Sequence, residues 1–133
     1  MKLEEVEGIG GVYAGRLRNE GITTAEDLLL RAGSRSGRGM LAAASGISER
    51  LLLEWVNHCD LMRIAGVGAE YADLLEEAGV DSCAELAQRN AANLHAALTE
   101  ANERKQLVRR LPSLEMVGRW VAAAGTTDRV VTH

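Results

Sequence analysis

The sequence predicts an all-α protein built from two copies of one helical unit. Ala, Leu, Glu and Arg dominate the 133 residues and there is a single proline, a composition that favours helices. No stretch shows the alternating apolar pattern of a β-strand. The third observation is an internal repeat, because the phrase VEGIGGVYAGRL at residues 6–17 returns as IAGVGAEYADLL at residues 64–75.

The repeat extends well beyond this phrase. When residues 6–28 are set against residues 64–86, seven of the 23 positions are identical, where chance gives about one or two. The identical pairs are Gly8/Gly66, Gly10/Gly68, Tyr13/Tyr71, Ala14/Ala72, Leu17/Leu75, Gly21/Gly79 and Leu28/Leu86. Further on, ISERLLLEWV aligns with PSLEMVGRWV after seven extra residues in the second copy. We therefore predict repeats at residues 1–60 and 61–125, followed by a tail at 126–133.

Each copy is expected to form four or five short helices. A leading turn, LEEV or LMRI, precedes the Gly-apolar-Gly turn, and a helix then runs through Tyr-Ala to a glycine suited to a left-handed end. Thr24 and Ser82 begin the next helix with capping-box spacing to an acid. A further helix runs through MLAAA or LHAAL, and the last starts at Ser48 or Ser113.

Three irregular segments are predicted from composition. Arg31–Gly39 is expected to be a loop because of its Gly and Ser content. The seven extra residues of the second copy are expected to lengthen the helix through NLHAALTEANERKQL by about two turns. The tail after Gly125 is expected to be loosely held.

The Gly-apolar-Gly turn has a chemistry of its own. Two glycines allow a sharp reversal that leaves the backbone N–H groups uncovered. The turn leads into a helix N-terminus, whose free N–H groups and positive dipole end suit a phosphate. The alternative is that both turns only reverse the chain, and the sequence leaves that alternative open.

The spacing apolar-x-x-apolar-x-Gly-apolar-Gly-x-x-x-Ala-x-x-Leu, found twice in register, resembles the helix-hairpin-helix motif. Two such hairpins resemble the tandem helix-hairpin-helix domain of DNA repair and recombination proteins, and GITTAEDLL looks most like an uncharacterised bacterial family of small proteins of this kind. The resemblance implies two pseudo-symmetric repeats packed around one core, and paired turns that hold the sugar-phosphate backbone without reading sequence.

The resemblance also implies which residues would bind nucleic acid. The phosphate-facing amides would be those of Gly8, Gly10, Gly11, Gly66, Gly68 and Ala69. Copy one adds Arg16 and Arg18 on the following helix. Copy two departs from the pattern, because it places Glu70, Asp73, Glu76 and Glu77 there, and four carboxylates repel a phosphate backbone. The second hairpin is therefore a candidate for a purely structural role.

Two clusters carry most of the remaining positive charge. The first is Arg31, Arg35 and Arg38, in a stretch without acids, and the second is Arg104, Lys105, Arg109 and Arg110. On one face they would form a basic patch for DNA, although RNA or an acidic protein surface would fit it too. The alternative is that both are solvated charges at loops and helix ends.

Nothing in the sequence indicates catalysis. The two lysines, Lys2 and Lys105, are not placed as nucleophiles of the lyase type, and no paired acid–base set is present. His58 lies beside Cys59 without the ligand spacing of a metal site, so we predict no metal, no cofactor and no enzyme activity. Both cysteines are expected to be buried thiols, and Trp55 and Trp120 to be core anchors.

The net charge and the length of the apolar runs limit which functions are expected. The net charge of −4, from 15 basic and 19 acidic side chains, is unusual for a protein that binds phosphates. Sequence-independent DNA binding is therefore weighed against a non-enzymatic protein-interaction adaptor that keeps the fold. No apolar run approaches the roughly 20 residues that span a bilayer, so we expect a cytoplasmic protein without membrane contact, and its oligomeric state is open.

Overall fold

The structure, a computed structural model, describes all 133 residues and confirms the all-α class. A single 3₁₀ turn, Leu3–Glu5, precedes eight α-helices. Apart from one isolated bridge between Lys2 and Thr24, no β-structure is present. The helices are α1 (Gly11–Asn19), α2 (Ala25–Ala32), α3 (Arg35–Ser45), α4 (Glu49–Leu61), α5 (Ala69–Glu77), α6 (Cys83–Ala87), α7 (Ala91–Lys105) and α8 (Leu114–Ala124).

The chain divides into two compact units. Unit 1 comprises Met1–Asp60 together with Arg129–His133, and unit 2 comprises Leu61–Asp128. The predicted tail is thus split, since residues 126–128 belong to unit 2 and the last five residues belong to unit 1. The pseudo-symmetric arrangement of the two copies around one core stays a prediction.

Local structure recurs at matched positions of the two units. Helices α1 and α5 both have nine residues. Gly8 and Gly66 share a φ of +89°, the left-handed region in which glycine is favoured. Gly21 and Gly79 follow the two helices with φ of +81° and +95°, which confirms the predicted glycine helix ends.

The predicted caps of the next helices are present. The Thr24 hydroxyl accepts a hydrogen bond from the Asp27 amide at 3.0 Å, and the Asp27 carboxylate accepts one from the Thr24 amide in return. These two contacts complete a capping box. The pKa of Asp27 is lowered, chiefly because its carboxylate also accepts a hydrogen bond from the Thr23 amide. At the matched position, the Ser82 hydroxyl accepts from the Glu85 amide at 3.2 Å.

The predicted loop at residues 31–39 is wrong. Helix α2 continues to Ala32, and α3 begins at Arg35, so only Gly33 and Ser34 connect them. The Ser34 hydroxyl accepts a hydrogen bond from the Gly37 amide at 3.0 Å and caps α3. Packing of α3 against α2 and this cap outweigh the low helix propensity of the glycines.

The extra residues of the second copy lie in two places. Helix α7 has 15 residues where α3 has 11, so the helix is longer by four residues, about one turn instead of the two predicted. It ends at Gln106, whose φ of +52° turns the chain out of the helix. The connection to α8 then spans residues 106–113, compared with residues 46–48 between α3 and α4. Arg109 and Arg110 consequently lie in a connection and not on a helix.

Unit 2 has an apolar core of its own. Its helices pack as α5 on α7, with α6 and α7 both on α8. The buried residues are Leu61, Ile64, Val67, Ala72, Leu74, Leu75, Val80, Cys83, Leu86, Leu94, Leu98, Ala101, Val108, Val117, Trp120 and Ala124. Val67, the central residue of the glycine turn, belongs to this set, so the turn is pinned from inside.

Both tryptophans pack against a glycine of their own unit. A Cβ placed on Gly8 would lie 3.1 Å from Nε1 of Trp55, and one on Gly66 would lie 3.2 Å from Nε1 of Trp120. Tyr13 contacts Trp55 edge-on with ring centroids 5.1 Å apart. In unit 2 the ring centroids of Tyr71 and Trp120 lie 5.2 Å apart. The tryptophans are 2% and 3% exposed, as expected of core anchors.

The last five residues are not loosely held. We call Arg129–His133 the strap. Its Thr132 amide donates to the Gly33 carbonyl at 2.9 Å, and the Thr132 hydroxyl accepts from the Arg35 amide at 3.1 Å. Val131 is buried, and a Cβ on Gly33 would lie 2.9 Å from Val130, so only glycine lets the strap pass this close. These contacts overcome the mobility expected of a terminus.

No helix of the protein has the length and apolarity needed to cross a lipid bilayer.

Replacing Gly8 or Gly66 with Ala tests how firmly the turns are specified. We expect each to lower the free energy of unfolding by about 1–3 kcal/mol, because φ is positive and the new methyl group meets an indole. Urea denaturation measures the loss. Gly15→Ala is the matched control: it lies inside α1 with open space around it, and should raise stability by about 0.5–1 kcal/mol. Equal effects at Gly8 and Gly15 would contradict the constraint.

Candidate nucleic-acid interface

The two glycine turns open onto uncapped helix N-termini. Gly10 and Gly68 are the N-cap residues of α1 and α5, and neither offers a side chain to accept a hydrogen bond. The first intrahelical bonds are donated by the Ala14 and Ala72 amides, both at 2.9 Å. The three amides before each of these have no acceptor within the chain. They point outward at the positive end of the helix dipole.

The other helices are closed by side chains. At each of α2, α3, α4, α6, α7 and α8 a side-chain oxygen of the N-cap residue accepts a hydrogen bond from a backbone amide of the first turn. These N-cap residues are Thr24, Ser34, Ser48, Ser82, Asn90 and Ser113. The absence of such a cap is therefore specific to the helices that follow the two glycine turns.

In unit 2 the open N-terminus lines a pocket. It has a volume of about 450 Å³ and lies between the glycine turn and the connection that follows α7. The turn and α5 contribute Gly66, Gly68, Ala69, Glu70 and Tyr71, and the connection contributes Val108, Arg109 and Arg110. The structure thus brings Arg109 and Arg110 together with the predicted residues Gly66 and Gly68.

Three side chains hold this connection in place. Asn102 accepts from the Val108 amide at 3.0 Å and donates to the Val108 carbonyl at 3.1 Å. The Tyr71 hydroxyl donates to the Arg110 carbonyl at 2.9 Å. The His95 ring contacts the Pro112 carbonyl at 3.1 Å. Because the backbone is fixed on both sides of Arg109 and Arg110, both guanidinium groups are presented at the turn.

The second basic cluster is divided by charge pairing. Arg104 and Lys105 lie 3.9 Å and 4.0 Å from a carboxylate oxygen of Glu77, at the far end of α5 from the glycine turn. Arg109 and Arg110 are exposed and take part in no ion pair. Glu70 lines the same pocket, so the charge there is two positive groups against one negative.

In unit 1 Arg16 packs over the tyrosine of the helix that follows the glycine turn. Its guanidinium carbon lies 5.8 Å from the centre of the Tyr13 ring, which in turn packs on Trp55 beside Gly8. Arg18 is engaged with Glu4 at 2.9 Å. A main-chain hydrogen bond, and after it Arg18, holds the pKa of Glu4 below its usual value.

The cluster of Arg31, Arg35 and Arg38 is not brought to the first turn. Arg31 donates to the Glu20 carbonyl at 2.9 Å, at the opposite end of α1. Arg38 is 4% exposed and donates to the carbonyls of Ala32, Gly33 and Thr132. Arg38 therefore ties α2 to the strap, and its role in nucleic-acid binding stays a prediction.

Sequence reasoning missed the residues that shape these sites. Asn102 and His95 fix the connection by contacting main-chain groups, and such contacts leave no spacing signal in the sequence, whereas Tyr71 was marked by the repeat. Arg50 on α4 was missed because the acids Glu49 and Glu54 surround it, although it lines a second groove together with Arg35 and Arg38.

Neither cysteine is placed for chemistry. Cys59 and Cys83 are both buried and unbridged. Burial, and to a smaller extent the negative charges of Glu26 and Asp60, raise the pKa of the Cys59 thiol to about 12. The thiol is therefore protonated at neutral pH, and a protonated thiol is a poor nucleophile.

A family model described as a domain of unknown function (DUF4332) matches residues 7–127, a range that includes both glycine turns and every helix. The chain belongs to this family. The family description names no activity and no ligand. No curated protein and no solved structure matches the chain. The likeness to helix-hairpin-helix proteins accordingly stays a resemblance, which rests on the sequence spacing of the turns.

Arg38→Met tests the structural role of the buried guanidinium. We expect it to lower the free energy of unfolding by about 2–3 kcal/mol, because the carbonyls of Ala32, Gly33 and Thr132 lose their donor. Amide exchange at Thr132 should become faster in the same variant. Arg35→Met, at an exposed side chain of the same helix, is the control and should change stability little. Similar losses in both variants would contradict this assignment.

Proposed function

We propose that the protein is a sequence-independent DNA-binding module of the helix-hairpin-helix type, in which each glycine turn holds one backbone phosphate. The observation that carries the proposal is the pair of uncapped N-termini at α1 and α5, whose first amides have no acceptor. Three outward amides at the positive end of a helix suit a phosphate oxygen. Because such contacts reach only the backbone, they carry no sequence information.

The second turn is the stronger of the two under this proposal. Its pocket adds Arg109 and Arg110, and a planar guanidinium can donate two hydrogen bonds to one phosphate. The first turn has Arg16 alone, since Arg18 is paired with Glu4. This order reverses the expectation from the sequence, in which the acids of α5 made the second hairpin the structural one. The negative charge of Glu77, one of these acids, is paired with Arg104 and Lys105 within unit 2.

The adaptor function remains the second candidate. The observation that favours it is the net charge of −4, together with the exposed apolar side chains of Leu30 and Met40 on α2 and α3, which are 78% and 73% exposed. Large exposed apolar side chains are common at protein interfaces but do not bind phosphates. The two candidates differ in their dependence on salt.

The first test is fluorescence anisotropy of labelled duplex DNA between about 20 and 200 mM salt, where phosphate-driven affinity falls by orders of magnitude. We expect binding to weaken steeply with salt and to be equal for two unrelated sequences. The double variant Arg109→Ala/Arg110→Ala should weaken binding about tenfold or more and reduce the salt slope by about 1–2. Arg104→Ala/Lys105→Ala removes the same charge from groups paired with Glu77 and should weaken binding less. Equal losses would mean that net charge alone matters, and no binding at the lowest salt would favour the adaptor.

A proline at the first helical position tests the amides themselves. Ala69→Pro removes one outward N–H of α5, and proline is tolerated there because Gly68 is extended, with φ −91° and ψ −173°. We expect unchanged thermal stability and a several-fold loss of DNA affinity. Ala91→Pro is the control, since it makes the same change at the first position of α7, which Asn90 caps. If both variants bind DNA as the parent does, the amides do not contact phosphate.

A further inference from the structure

Unit 1 contains a groove that is separate from its glycine turn. It has a volume of about 430 Å³ and lies between α3, α4 and the end of the strap. The lining residues are Arg35, Arg38, Glu49, Arg50, Leu53 and His133. We call this the arginine groove.

The charge in the arginine groove is unbalanced. The groove is lined by three guanidinium groups, by the side-chain carboxylate of Glu49 and by His133, the last residue of the sequence, whose terminal carboxylate adds a second negative charge. Arg35 and Arg50 are exposed and are in no ion pair. Like charges gathered around one concave space raise the local potential and attract an anion. No contact in the structure indicates that the Arg35 or Arg50 side chain is needed for the fold.

The strap already places oxygen atoms on two donors at this groove. The Thr132 hydroxyl accepts from the Arg35 amide at 3.1 Å, and the Thr132 carbonyl accepts from the Arg38 guanidinium. These are hydrogen bonds of the kind that a phosphate oxygen would make with the same donors. The strap is anchored by one buried side chain, Val131, and has no helix or strand of its own.

We propose that the arginine groove binds a phosphate group and that the strap limits this binding by occupying Arg38 and the Arg35 amide. With the strap seated, Arg35 and Arg50 are available at the mouth of the groove. With the strap released, the Arg38 guanidinium gains a free donor edge. This site goes beyond the proposed function, because it involves neither glycine turn.

A phosphate group could come from a nucleic acid backbone or from a free polyphosphate, and the test uses both. The two probes are inorganic triphosphate, whose binding is measured by isothermal titration calorimetry, and a labelled 20-base-pair DNA duplex. We expect triphosphate to bind the full-length protein at low salt, and Arg50→Ala or Arg35→Ala to weaken it about tenfold. Glu49→Gln should tighten it several-fold because it removes the only side-chain carboxylate. The effects of Arg50→Ala and Glu49→Gln on triphosphate binding should persist in the Arg109→Ala/Arg110→Ala background, which separates this groove from the phosphate site at the second turn.

Val131→Asn tests the strap, because it loosens the buried anchor without changing charge, and Val131→Ile is the conservative control. We expect faster amide exchange at Thr132 and several-fold tighter triphosphate binding in Val131→Asn alone. If the affinity for the duplex changes in these variants and the affinity for triphosphate does not, the groove binds the phosphates of nucleic acid. Affinities for both probes that are unaffected by Arg50→Ala and Glu49→Gln, which lie at exposed positions, would overturn the proposal. Faster exchange at Thr132 without tighter binding would overturn the role of the strap.

Discussion

The packing of an indole edge against a glycine is the contact on which each unit depends. Trp55 and Trp120 lie on the last helix of their units, and their Nε1 atoms are 3.1 Å and 3.2 Å from where a Cβ on Gly8 or Gly66 would lie. The same glycines hold a φ of +89°, which side chains rarely adopt. A tyrosine from the following helix then closes over each indole, so the turn, the helix after it and the last helix are locked together.

This packing has a consequence for the surface of the turn. Because the inner side of the turn is filled by the tryptophan and by the central apolar residue, Ile9 or Val67, the peptide groups that follow must face outward. Glycine at the N-cap then leaves the first amides of α1 and α5 without an acceptor. The same few residues thus pack the core beneath the turn and leave backbone amides without an acceptor above it. For that reason the repeat alone could not separate a structural turn from a binding turn.

Much of the fold could be predicted, and the failures have physical causes. The repeat, the caps at Thr24 and Ser82 and the helix ends at Gly21 and Gly79 are local features, and local features are written in spacing. The loop predicted at residues 31–39 was wrong because the Ser34 cap and the packing of α3 on α2 outweigh the glycine content, and the loose tail was wrong because contacts distant in sequence hold it. The surroundings of Arg38 depend on such a contact as well, because it is buried between two carbonyls at the end of α2 and one from the strap.

The same distinction applies to charge. A net charge of −4 counts against phosphate binding only if distant charges act together, and at physiological ionic strength they are screened beyond about 8 Å. What a phosphate meets is therefore set by the few groups around its site. At the second turn the connection after α7 supplies two unpaired arginines against Glu70, while Arg104 and Lys105 are matched with Glu77 further along α5. The placement of that connection depends on Asn102, Tyr71 and His95, which contact backbone carbonyls. Electrostatic complementarity in this protein is thus decided by hydrogen bonds that position a loop and not by the sum of its charges.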